Sequence, residues 1–216
     1  MIKENVQKVL RRIADTCSRI DVPPEKIGIV CVSKGRTERE IASAVDAGLG
    51  CMGENKVQEA SRKCGAFPGV SWQMIGHLQS NKVKEALKIF DLIHSVDSVP
   101  LAREIDKQAL KLGKVQDVFL EIKTSPEESK TGFDPRELGA SFDQIRKLGN
   151  IKVGGLMTIA PLLGDPRPYF ARLRGLRDRF DPSWHLSMGM SDDFEEAIEE
   201  GADIVRLGRI IFEGEK

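Results

Sequence analysis

Lys34 follows an apolar run, Ile27–Ser33, that carries Ile, Val and Cys on alternating sides. A strand apolar on both faces belongs to a parallel sheet covered on both sides. A lysine at the end of such a strand has its amine at the rim of an apolar interior. Desolvation there is expected to favour the neutral amine, the form that attacks an aldehyde. The plain alternative is a lysine that closes the strand and snorkels into solvent. Near the other end of the chain lies a second group of residues, Ser187-Met-Gly-Met-Ser191, leading into the acidic stretch that starts at Asp192. A glycine flanked by hydroxyls at a helix start offers free backbone N–H groups and a favourable dipole to an anion. Ser191 is also expected to cap that helix. Arg206-Leu-Gly-Arg209 follows the next strand, so the amides at Gly208 and Arg209 can approach the same anion.

An aldehyde-reactive amine opposite an anion cradle fits pyridoxal 5′-phosphate, whose aldehyde and phosphate lie across its ring from each other. A Schiff-base aldolase acting on a sugar phosphate has the same two needs and stays open on these residues. Arg206 bears on the choice. It shares a side of its strand with Gly208. Facing inward, it could donate to the pyridine nitrogen and, being permanently cationic, keep that nitrogen unprotonated. The competing reading pairs Arg206 with Asp203 or another rim residue.

Strand-length apolar runs alternate with helix-period segments throughout. The strands are expected at Ile27–Ser33, Gly50–Gly53, Ser71–Ile75, Leu92–Val96, Val115–Ile122, Val153–Met157, Trp184–Ser187 and Asp203–Leu207. An opening helix is expected over 3–20, with Val6, Val9, Leu10, Ile13 and Cys17 on one face. Further helices are expected at Glu38–Ala47, Lys56–Lys63, 81–88, 99–112, 135–148, 167–180 and 192–200. Strict alternation means parallel strands joined by right-handed crossovers. Eight units in 216 residues fit one α/β domain, a (β/α)8 TIM-type barrel with an extra N-terminal helix spanning 1–216. An open doubly wound sheet is the runner-up. In the barrel, chemistry sits at the C-terminal ends of the strands, where the polar and glycine-rich loops of this chain fall.

Composition narrows the field. Lys+Arg and Asp+Glu are both 33, a net charge of zero that argues against a nucleic-acid surface of the bulk electrostatic kind. No apolar stretch has the length of a membrane span, and the N-terminus lacks the apolar centre of a signal peptide, so a cytoplasmic protein is expected. The four cysteines, at 17, 31, 51 and 64, are too widely spaced for a zinc knuckle and are expected to be reduced and structural. His77, His94 and His185 have no ligand-type spacing, so no metal is expected.

The chain resembles the pyridoxal phosphate homeostasis proteins, single-domain relatives of the alanine racemase N-terminal barrel. The resemblance is carried by Val32–Lys34, Gly53–Glu59, Ile75–Lys82, Glu127–Gly132, Gly155–Thr158, Leu186–Asp193 and Val205–Gly208. It implies Lys34 as the Schiff-base lysine and Arg206 beside the pyridine nitrogen. Ser187, Gly208 and the amide of Arg209 would surround the phosphate, with Asn55 and His77 near the ring. Three positions depart from the family pattern. Arg209 stands where a Ser or Thr is usual, Glu213 where Gly is usual, and Gly35 where a threonine is common.

Racemization on this cofactor needs a base on each face of the substrate. In the racemases the second is a tyrosine from a C-terminal domain; here the one tyrosine, Tyr169, is expected to pack on a helix far from the site. A carrier that stores or delivers the cofactor without substantial turnover is therefore expected, with apo PLP-dependent enzymes as its recipients, and a monomer. The alternatives are a PLP-dependent racemase, lyase or decarboxylase, or a scaffold for a partner protein. The charged segment 123–132 reads as a lid with Lys130 as a relay amine, and Lys82 competes for that role.

Overall fold

The computed structural model describes residues 1–125 and 131–214. Gly28–Val32 (β1), Cys51–Glu54 (β2), Ser71–Met74 (β3), Leu92–Val96 (β4), Gln116–Glu121 (β5), Ile151–Met157 (β6), His185–Ser187 (β7) and Ile204–Leu207 (β8) run parallel. They pair in sequence order and β8 returns to β1, so the sheet closes. This is the expected TIM-type α/β barrel, and the open-sheet alternative is excluded by the β1–β8 pairing. Part of the Glu127–Gly132 motif, with the relay candidate Lys130, lies outside the described residues.

Two cores follow from the alternation of side chains. Cys31, Met52, Trp72, Ile93, Leu120, Leu156, Leu186 and Val205 point outward and join the helices in one apolar layer. Val30, Ile75, Phe119 and Met157 are as buried but stand apart from that layer, inside the barrel. Burial pushes the Cys31 and Cys51 thiols up to about 12, so both stay as inert thiols.

The helices are Ile2–Arg19 (α1), Glu38–Asp46 (α2), Val57–Lys63 (α3), Val83–Ala86 (α4), Val99–Lys111 (α5), Leu138–Ile145 (α6), Arg167–Phe180 (α7), Phe194–Glu199 (α8) and Arg209–Phe212 (α9). Helix α2 begins at a capping box, with Thr37 accepting from the Glu40 N–H and the Glu40 carboxylate accepting from the Thr37 N–H. Ser98 caps α5 in the same sense, accepting from Leu101. The helix expected at 81–88 is a 3-10 turn, Ser80–Lys82, running into the short α4.

Helix α1 packs against α2, α8 and α9, so it fills the place between α8 and α2 in the outer ring. Among the described residues, the chain after β8 adds the four-residue α9. Val6, Val9, Ile13 and Cys17 are buried on α1, each apolar side chain contributing roughly 1.5–3 kcal/mol. Leu10, expected on the same face, is 46% exposed because it lies beyond the edge of that narrow stripe. Arg12 fixes the docking with a two-pronged contact to Glu195, at 3.2 and 2.8 Å, while its guanidinium lies 4.7 Å over Phe194.

Candidate cofactor-binding site

The deepest polar feature is a chain of hydrogen bonds that crosses the barrel. Arg206, in β8 and 4% exposed, donates from Nη1 to Ser187 Oγ at 2.8 Å and from Nη2 to the Thr158 carbonyl at 2.8 Å. Ser187 Oγ lies 2.9 Å from His94 Nδ1, and His94 Nε2 lies 2.7 Å from Gln73 Oε1. Strands β4 and β7 are not neighbours, so the Ser187–His94 bond spans the interior.

One assignment satisfies every partner. Arg206 has only protons to give, so Ser187 accepts from it and donates to His94 Nδ1; His94 then donates from Nε2 to Gln73. This requires a neutral imidazole. Burial, helped by the Arg206 charge, holds His94 down to about 3 and so keeps it neutral. Arg206 is held down to about 10, chiefly by burial, and remains cationic at neutral pH. Asp203 is not its partner; that carboxylate accepts from the Leu186 N–H at 2.7 Å.

Above this chain lie the strand ends. Glu121 is buried, and burial pushes its carboxyl above the ordinary range while Thr131 Oγ1 donates to it at 2.9 Å. His77 is exposed, its Nδ1 2.8 Å from Asp97 Oδ2. Asn55 is half-buried, and with His77, Glu59 and Lys82 it lines a cavity of about 720 Å³ beside the mouth.

Lys34 sits two residues past β1, and here the expectation is corrected: its side chain is exposed, not desolvated at an apolar rim. The reason is local. The Arg36 N–H closes on the Ser33 carbonyl at 3.0 Å with Gly35 at φ +69°, which turns the chain out of the strand direction. Positive φ at the third residue of such a turn favours glycine. The departure from threonine at this position thus makes a defined turn rather than a loose loop.

Around the expected anion cradle, Gly189 has φ +91° and a Cβ there would lie 2.5 Å from the Ala197 Cβ. Ser191 does not cap the following helix. Asp193 holds the N-cap position without a side-chain cap bond, its carboxylate accepting instead from the Met190 N–H at 2.6 Å, and the helix runs Phe194–Glu199. Ser191 Oγ instead accepts from the Ile210 N–H at 3.3 Å, in the first turn of α9. Gly208 precedes that turn, and the amide of Arg209, at its first position, has no intrahelical acceptor. The other two departures are paired: Arg209 reaches Asp192, and Glu213 receives Arg36.

The structure brings Ser187 and Arg206 together directly, and Ser191 with the start of α9. His94, Gln73, Glu121 and Asp97 were missed by sequence reasoning. The inward parity of His94 in Leu92–Val96 was the available signal.

The fold and a cation-floored mouth define a class, and comparison with known proteins agrees. Residues 3–216 match the family model described as alanine racemase, N-terminal domain. The structure of PipY from Synechococcus elongatus PCC7942 with PLP bound is similar, with a TM-score of 0.85 and 35% identity, covering 98% of this chain and 100% of that one. An alanine racemase of Clostridium difficile 630, at 17% identity and a TM-score of 0.78, shares the fold over 96% of this chain and 56% of its own. A curated relative from Aquifex aeolicus (strain VF5), named pyridoxal phosphate homeostasis protein, is 44% identical, covering 97% of this chain and 96% of the relative. The chain belongs to the pyridoxal phosphate homeostasis protein family.

Proposed function

We propose that residues 1–216 act as one pyridoxal-phosphate-binding barrel domain that stores or delivers the cofactor without substantial catalysis. Lys34 holds it through a Schiff base, and Arg206 lies beside the pyridine nitrogen. Gly208 and the Arg209 amide take the phosphate, with Ser187 and Ser191 setting the walls of the cradle, while Asn55 and His77 flank the ring. The relatives' name and the bound PLP of PipY support the choice of ligand. The residues here fit it: an accessible amine, an inward guanidinium with N–H groups to spare, and an amide at a helix start.

The observation that carries the reading is the fixed, buried and cationic Arg206. When bound, pyridoxal phosphate supplies an aldehyde and an electron-withdrawing ring, whose power to stabilise carbanions depends on a protonated nitrogen. A guanidinium offers only donors, so Arg206 would leave that nitrogen unprotonated and the ring a weak electron sink. The exposure of Lys34 suits a protein that must release what it holds. Tyr169, the one tyrosine, packs against the helix layer from the first turn of α7. By the same reading the protein works as a cytoplasmic monomer that passes cofactor to apo enzymes. No helix among the described residues is long and apolar enough to cross a membrane.

The test is an absorption titration with pyridoxal phosphate, comparing the native protein with Lys34→Ala, followed by steady-state assays on D- and L-amino acids. The native protein should develop the band of a lysine-bound cofactor and Lys34→Ala should not. Sustained turnover lost in Lys34→Ala would instead establish an enzyme.

A further inference from the structure

Because the Lys34 side chain is exposed, the backbone on either side of it decides where its amine lies. Both adjoining peptide groups are held by one helix. The Ser33 carbonyl, in the peptide before Lys34, accepts from Lys63 Nζ at 2.8 Å. The Gly35 N–H, in the peptide after it, donates to Glu59 Oε2 at 3.1 Å. Lys63 and Glu59 are one turn apart on α3 and 3.7 Å from each other. Lys63 is itself anchored on Glu54 Oε1 at 2.6 Å, and the Ser33 hydroxyl donates to the same oxygen at 2.7 Å.

We propose that Glu59 and Lys63 are positioning residues for Lys34, clamping the peptide groups on its two sides so that the amine is presented to the cofactor in one place. The inference rests on Lys34 being the attachment point. The geometry is more than a fold contact. A buried ion pair is seldom the most stabilising choice for its site. Here the Lys63 ammonium has a second task at the Ser33 carbonyl. Glu59 also lies on the wall of the cavity beside Asn55 and His77, so the clamp borders that cavity.

Glu59→Ala is the informative variant, because it releases the Gly35 N–H and leaves the Glu54–Lys63 pair intact. Glu59→Gln keeps an acceptor for that N–H and serves as the rescue. Both are compared with the native protein and Lys34→Ala for the equilibrium constant and pH dependence of covalent attachment, read from absorption. Thermal unfolding without cofactor is measured alongside. Attachment in Glu59→Ala should weaken about tenfold, the size of one charge-assisted hydrogen bond, with Glu59→Gln close to native. The unfolding midpoints should agree within a few degrees. If Glu59→Ala attaches as well as the native protein does, while Lys34→Ala does not attach at all, the clamp is refuted and the Lys34 assignment stands. If Lys34→Ala retains the band, both are refuted.

Discussion

Arg206 donates to Ser187 at 2.8 Å, and the same hydroxyl lies 2.9 Å from His94 on the far side of the barrel. Because burial keeps His94 neutral and its Nε2 donates to Gln73, the Ser187 hydroxyl donates to His94 Nδ1. Ser187→Ala strips the imidazole of that donor and Arg206 of one acceptor, both in a dry interior. The expected cost is about 1–3 kcal/mol, seen as a lower urea midpoint at an unchanged slope.

His94 also makes stability depend on pH. Its folded pKa of about 3 lies below the ordinary 6.5, so between those values the unfolded chain binds a proton that the native one refuses. Stability from this group is full above pH 6.5 and is lost as pH falls toward 3, at up to about 1.4 kcal/mol per unit. Glu121, raised by burial, acts with the opposite sign: its share is full below the ordinary 4.5 and is lost as pH rises from there through its raised folded value. The difference between native protein and His94→Gln, measured from pH 4 to 7 by urea unfolding, isolates the histidine. Parallel curves would mean that His94 is protonated in the fold.

Lys34→Ala removes an exposed side chain and should leave stability within about 0.5 kcal/mol. Borohydride reduction with cofactor, followed by intact mass, should show an adduct on the native protein and none on this variant.

Glu54 is fully buried and Lys63 only 12% exposed, so breaking their pair by Lys63→Met strands a carboxylate in the interior. The expected loss is about 3–5 kcal/mol, largely recovered in the double variant Glu54→Gln/Lys63→Met. Chemical unfolding of the two proteins is the comparison. Equal losses would show that the pair does not carry charge.

Gly35→Ala meets no atom within 4 Å, so its effect is that of backbone alone at φ +69°. A cost of about 1–2 kcal/mol is expected, with weaker cofactor attachment as the turn relaxes. Unchanged stability would show that this turn is not populated in solution.

The barrel was legible because alternation of apolar runs and helical periods is local information. Leu92–Val96 and 167–180 emerged with the expected bounds, since each has its pattern complete within one segment. Helix α9 was not expected at all; four residues after Gly208 carry less than one full apolar period. The helix expected at 192–200 begins at Phe194, with the Asp193 carboxylate turned back to the Met190 amide three residues earlier.

The site was legible only as a set of strand ends. Lys34, Ser187, Arg206 and Gly208 are placed by their order along β/α units, and strand parity sends Arg206 inward. Partnership was not readable. The four residues of the chain from Arg206 to Gln73 come from β8, β7, β4 and β3, joined only when the sheet closes. The turn at Gly35 likewise put Lys34 into solvent by reversing the strand direction. Periodicity along the chain therefore determined the architecture and the strand ends at which the candidate residues fall. Burial, charge and tautomer were decided by closure, because each depends on groups distant in sequence that share one low-dielectric space.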